Sequence, residues 1–152
     1  LLDDYHRLTL VKIAVEDNQK LSACDIEFGL DKPSYTATTL AYLKEKHANY
    51  SFSLIMGEDN LRTFHKWHNY EEIIDNHQIY VYPRLYTQQE LEESASSKSE
   101  LSGHKNVVVC NDVPLMKVSS SFIRKAIQEK KDVRYLLSEP VFKYVDEMNF
   151  YR

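Results

Sequence analysis

Glycine is scarce: the 152 residues hold only Gly29, Gly57 and Gly103. Phosphate-cradling loops of the G-x-x-x-x-G-K-[ST] and G-x-G-x-x-G kinds need several glycines close together, so both are excluded. Any phosphate held by this chain must rest on helix ends and side chains. Cysteine is nearly as rare. Cys24 and Cys110 stand far apart, each inside an apolar run, which reads as two reduced, buried thiols, a disulfide between them being the alternative. No apolar run approaches membrane-spanning length, and no basic-then-apolar leader is visible. Positive charge is not in excess either. Nineteen Lys and Arg face 23 Asp and Glu, for a formal net charge of −4, which argues against a general nucleic-acid binder.

What is present has the balance of a globular, cytoplasmic protein, with 43% apolar and 28% charged residues. The length suits one core and is short for two ordinary domains, so residues 1–152 read as a single domain. Leu8, Val11, Ala14 and Val15 share one face of a predicted helix over 3–16. "LSACDIEF" (21–28) alternates like a strand. A helix is predicted over 36–47, a buried strand over 52–56 ending at Gly57, and two short helical pieces over 58–65 and 69–76. "QIYVY" (78–82) and "NVVVC" (106–110) read as further strands. Helices follow over 121–131 and 138–148, the second with Pro140 suited to its first turn. Strands alternate with helices, and 52–56 and 106–110 are apolar on both faces. The expected fold is therefore α/β: a Rossmann-like, mainly parallel sheet with helices on both faces. Residues 87–105 are polar and serine-rich and read as a surface excursion or a short solvated helix.

In such sheets ligands sit beyond the carboxyl ends of the strands, at the starts of the following helices. Four stretches fall there. "VSSSFIR" offers Ser119, Ser120 and Ser121 at a helix N-terminus, with Arg124 and Lys125 close behind. Hydroxyls and cations at the positive end of a helix suit a phosphate brought by a ligand; an ordinary cap is the competing reading. "KPSYTATTL" has Thr36 as its expected N-cap and no acid in the first turn, a second helix start able to take an anion, or a plain capped surface helix. In "IMGEDN", Glu58 and Asp59 follow Gly57 and could accept from ribose hydroxyls or simply cap a helix. In "FHKWHNY", Trp67 could stack on a flat heteroaromatic ring or pack at a core edge. His65 and His68 have the H-x-x-H spacing, but two ligands alone make a weak metal site. Arg84, directly after a predicted strand, is a further candidate for a phosphate. Together these suggest an anionic, ring-bearing ligand such as a nucleotide.

The stretches "PSYTATTL", "IMGEDNLRTFHKWHNYEEI" and "VSSSFIRKAI" resemble the bacterial nicotinate-mononucleotide adenylyltransferases, members of the α/β nucleotidyltransferase superfamily. The flanks "DDYHRLTLVKIAV" and "YLLSEPVFKYVDEMNFY" are similar too, so the likeness covers nearly the whole chain apart from 87–105. It implies transfer of the AMP part of ATP to nicotinate mononucleotide, with Mg²⁺ accompanying ATP, no partner nucleic acid or membrane, and a homo-oligomer left open. Ser119, Ser120, Ser121 and Arg124 would hold the triphosphate, with Arg124 stabilising it during reaction. Gly57 and Asp59 would meet the adenosine side, and Arg84 the phosphates, although "RLY" replaces the family's usual turn after it. Trp67 would stack on the pyridine ring, and backbone groups near Tyr35, Thr36 and His68 would receive its carboxylate. The "S-Y-T" and "K-W" elements are specific within the superfamily, whereas "S-S-S-x-I-R" is shared with pantetheine-phosphate adenylyltransferases. That leaves pantetheine phosphate as an alternative acceptor and a non-catalytic nucleotide-binding module as an alternative function. The family's H-x-G-H motif, with the strand before it, does not occur in these residues. This predicts a polypeptide continuing upstream of Leu1, and otherwise an unstable, inactive chain.

Overall fold

The computed structural model describes residues 2–83, 100–116 and 118–152. Arg84 and residues 87–99 of the serine-rich stretch lie outside the described residues. The chain forms two compact units, a central one of Leu30–Lys117 and a terminal one of Leu1–Gly29 with Val118–Arg152.

In the central unit, helix α2 (Thr36–Lys46) carries Leu40 into the core and ends on Lys44 and Lys46, cations suited to the negative end of the dipole. Strand β1 (Leu54–Gly57) leads at once into helix α3 (Glu58–Thr63), a 3₁₀ turn over Phe64–Lys66 and helix α4 (Tyr70–Asn76). Strands β2 (Ile79–Tyr82) and β3 (Val107–Val109) complete a three-stranded parallel sheet in the order β1-β2-β3. Leu54 pairs with Ile79 and Ile79 with Val107; Ile55 aligns with Tyr80 and Val108. Because side chains alternate along a strand, one face presents Met56, Ile79, Val81 and Val107, all buried. They pack with Leu40, Leu61, Phe64, Ile73 and Ile74 into one core, and each such burial contributes about 1.5–3 kcal/mol. The opposite face carries Ile55, Tyr80, Tyr82 and Val108, between 40% and 76% exposed.

Asn106 joins three of these elements. Its amide donates to the carbonyls of Ile74 (2.8 Å) and Asp75 (3.1 Å), satisfying the end of α4. Its own carbonyl accepts from the Gln78 side chain (3.1 Å) and the Ile79 N–H (2.7 Å). The His77 ring bonds the Phe52 carbonyl at 2.9 Å across the same corner. The amino-terminal edge of the sheet is thereby held in register.

In the terminal unit, Asp3 caps helix α1 (Asp4–Val15) by accepting the His6 N–H at 2.9 Å. The packed stripe differs from the expected one. Val11 is 49% exposed and Ala14 is exposed, whereas His6 is sequestered, its ring bonded to the Tyr144 hydroxyl at 3.0 Å and edge-on to Phe150 at 4.8 Å. An aromatic cluster on the partner helix, rather than the helix's own most apolar residues, decides which face turns inward. Residues 21–28 form no strand: only a 3₁₀ turn, Ile26–Gly29, occurs there. Their large side chains are few, Leu21 and Phe28 are exposed, and no described strand pairs with them, without which alternation alone does not hold a strand. Cys24 is accordingly exposed and Cys110 half-buried, so the expectation of two buried thiols fails for Cys24.

Helices α5 (Ser120–Gln128) and α6 (Glu139–Glu147) both close with a residue in the left-handed region, Lys130 (φ 57°) and Asn149 (φ 53°). Past α5, the Lys130 N–H donates to Ile127 and the Lys131 N–H to Ala126, both at 2.9 Å; Asn149 and Phe150 repeat the pattern on Asp146 and Val145. These are Schellman caps, and the second carries the apolar Val145–Phe150 positions that usually accompany one. The Lys131 ammonium, 2.6 Å from Glu129, holds that carboxyl below its ordinary value. Among the described residues no helix is long and apolar enough to cross a membrane.

Candidate active site

Phe64 and Trp67 are three residues apart across a 3₁₀ turn, a spacing that stacks side chains one above the other. The Trp67 N–H donates to the Phe64 carbonyl at 2.9 Å. Phe64 is fully buried, and the two rings meet edge-on with centroids 5.2 Å apart. One edge of the tryptophan is thus fixed to the core. The residue also lines a cavity of about 290 Å³, together with Ser34, Tyr35, Thr36, Lys66 and His68. Core packing on one side and a cavity on the other coexist at Trp67.

The other wall of this cavity is the start of α2. Tyr35, not Thr36, is the N-cap: its backbone is extended (φ −109°, ψ 138°) and its carbonyl accepts the Thr39 N–H at 3.0 Å, while Thr36 is already the first helical residue. The cap makes no side-chain bond to the helix, and the first turn holds no acid. The Tyr35 ring lies 4.5 Å from that of His68, inclined by 33°. Asn69, left-handed at φ 52°, turns the chain into α4 directly after His68. Four residues expected at one subsite, Tyr35, Thr36, Trp67 and His68, therefore do line one cavity.

Gly57 and Asp59 occupy the junction of β1 and α3. Gly57 is the helix N-cap, and a Cβ built on it would lie 2.5 Å from Asp59 Oδ1. The Asp59 carboxylate folds back over the glycine, at the carboxyl end of the strand where ligands of parallel sheets collect. A second cavity, about 270 Å³, opens nearby between Glu58, Arg62, Pro83, Ser102 and Asn111.

In the terminal unit, Ser119 caps α5 by accepting the Phe122 N–H at 3.2 Å. Ser121 accepts from the Arg124 guanidinium at 3.0 Å, one turn along. No acid stands in the first turn; Lys125 belongs to the last turn and pairs with Glu129 at 3.9 Å. Arg124 is thus pulled back toward the helix start. Arg84 lies outside the described residues. Among the described residues no group of three or more His, Cys, Asp or Glu could hold a metal ion, so His65 and His68 stand without a third such partner.

Sequence reasoning missed Lys66 and Ser34 in the tryptophan cavity, and Arg62 and Asn111 in the other. Lys66 and Ser34 are chain neighbours of residues singled out, so proximity was the available signal. Arg62 was visible only as an i, i+4 partner of Glu58, which it meets at 3.7 Å.

A family model described as cytidylyltransferase-like matches residues 1–126. A probable nicotinate-nucleotide adenylyltransferase of Flavobacterium johnsoniae is 50% identical over 152 residues, all of this chain and 75% of that protein. One from Cytophaga hutchinsonii is 40% identical over 99% of this chain and 73% of its own length. Among solved structures, nicotinic acid mononucleotide adenylyltransferase of Plasmodium falciparum superposes with a TM-score of 0.72 over 99% of this chain and 77% of that one, at 19% identity, a likeness of fold. The matching family model and relatives about half identical along its whole length place the chain in the cytidylyltransferase-like family, among the nicotinate-nucleotide adenylyltransferases.

Proposed function

We propose that the chain binds ATP and nicotinate mononucleotide in the cytoplasm and joins them to deamido-NAD and pyrophosphate, in the making of NAD. The observation that carries the reading is the cavity in which a core-anchored tryptophan meets a helix start with no side-chain cap and no acid of its own. A flat, anionic ring answers both walls: its face stacks on Trp67 and its carboxylate receives backbone N–H groups near Tyr35, Thr36 and His68.

A 5′-phosphate oxygen of the mononucleotide attacks the α-phosphorus of ATP. The bond from that phosphorus to the bridging oxygen breaks, and its electron pair leaves with pyrophosphate. No protein nucleophile enters, so the residues supply orientation and charge. Ser119, Ser120, Ser121 and Arg124 hold the phosphates, while Gly57 and Asp59 hold the adenosine side. Mg²⁺, when bound with ATP, would supply neutralisation of phosphate charge. The oxygen donors among these residues, serine hydroxyls and the Asp59 carboxylate, are of the class a hard cation accepts.

The test is pyrophosphate release by the purified protein with ATP, Mg²⁺ and nicotinate mononucleotide, with pantetheine phosphate as the rival acceptor. Turnover with nicotinate mononucleotide is expected. Turnover with pantetheine phosphate alone would assign a different acceptor. Nucleotide binding without any release of pyrophosphate would make this a binding module.

A further inference from the structure

We propose that Lys66 sets the preference for the acid over the amide form of the pyridine nucleotide, an inference resting on the acceptor assigned above. The two forms differ by a carboxylate against a carboxamide of nearly equal size and shape. The indole face of Trp67 meets the same ring in both. Backbone N–H groups at the start of α2 donate to a carboxylate or to an amide oxygen alike. The hydroxyls of Ser34 and Thr36 and the His68 ring each donate or accept, so they adapt to either form. None of these brings a full positive charge to separate the two.

Lys66 does. It lines the same cavity as Trp67, no acidic residue lines that cavity with it, and it makes no ion pair to any described residue. An ammonium offers three donors and no acceptor. It gains a charge-paired hydrogen bond from the carboxylate, whereas the amide offers it only a neutral oxygen acceptor. The α2 dipole acts in the same sense, because no acid in its first turn offsets it. The preference is therefore carried chiefly by one side chain, with the helix end as a weaker background.

Lys66→Met and Lys66→Arg decide this, compared with the unaltered protein in turnover and in the quenching of Trp67, the chain's single tryptophan. Lys66→Met should lower affinity and kcat/KM for the acid form about five- to tenfold, and leave the amide form within about twofold, the scale of one exposed charge contact. The acid form's binding should also lose part of its salt dependence, and Lys66→Arg should retain the preference. Equal losses for both forms, or an unchanged ratio in a protein that turns over the acid form, would overturn the role of Lys66 alone. Absence of both turnover and quenching with the acid form in the unaltered protein would overturn the acceptor assignment and this inference with it.

Discussion

Trp67 is tied to Phe64 by a backbone hydrogen bond and an edge-on ring contact, so its orientation is set before any ligand arrives. Its contribution to binding is then a stacking term of about 1–3 kcal/mol. Trp67→Ala should lower kcat/KM for nicotinate mononucleotide by roughly ten- to a hundredfold through that term, with Trp67→Phe recovering part of it, as steady-state kinetics would register. Gly57 is a different kind of residue. Its backbone, at φ −76° and ψ 157°, is open to alanine, but the added Cβ would meet Asp59 Oδ1. Gly57→Ala should therefore keep its thermal midpoint and raise KM for ATP by displacing that carboxylate. An unaltered KM would show that Asp59 does not serve the nucleotide.

Elements are fixed here by their ends as much as by their cores. Asn106 satisfies two carbonyls at the close of α4 and anchors the starts of β2 and β3. Asn106→Ala leaves those carbonyls without protein donors, and urea unfolding should show a loss of about 1–3 kcal/mol. Lys130 stands at the left-handed position closing α5, where a side chain is strained and glycine is not. Lys130→Gly should move the urea midpoint upward by about 0.5–1 kcal/mol of stability, and a downward shift would show that the lysine makes contacts outweighing the strain. Helices α5 and α6 were legible because their start signals and apolar spacing agree; α2 was legible in extent, although Tyr35 and not Thr36 caps it. The stretch 21–28 was misread because alternation is only half of a strand; the other half is a partner, which a local pattern does not contain.

At the scale of the whole molecule, a formal charge of −4 must coexist with substrates that are themselves anionic. On the assignments proposed above, attraction is local, at Arg124, at Lys66 and at helix starts without acids, and rising salt should depress kcat/KM for both substrates. Of the residues assigned above, those for the ATP phosphates, Ser119 and Arg124, belong to the terminal unit, and those for the adenosine side and the mononucleotide, Gly57, Asp59, Trp67 and Tyr35, to the central one. Ser119→Ala and Arg124→Ala should raise KM for ATP about tenfold, the scale of one lost charge-assisted contact, and leave quenching of Trp67 by nicotinate mononucleotide intact. Joint loss of both in either variant would contradict the division.

The sequence by itself determined the parallel α/β character, the helix starts without acids and the family, because these depend on local spacing and on motifs that survive as strings. Tertiary structure alone decided that Tyr35 rather than Thr36 caps α2, and that Trp67 both packs and lines a cavity. It alone also brought Lys66 to the wall of that cavity and turned His6 rather than Val11 inward. Each of these depends on which surface another segment presents across space, and burial and contact are properties of pairs of segments that no single stretch encodes.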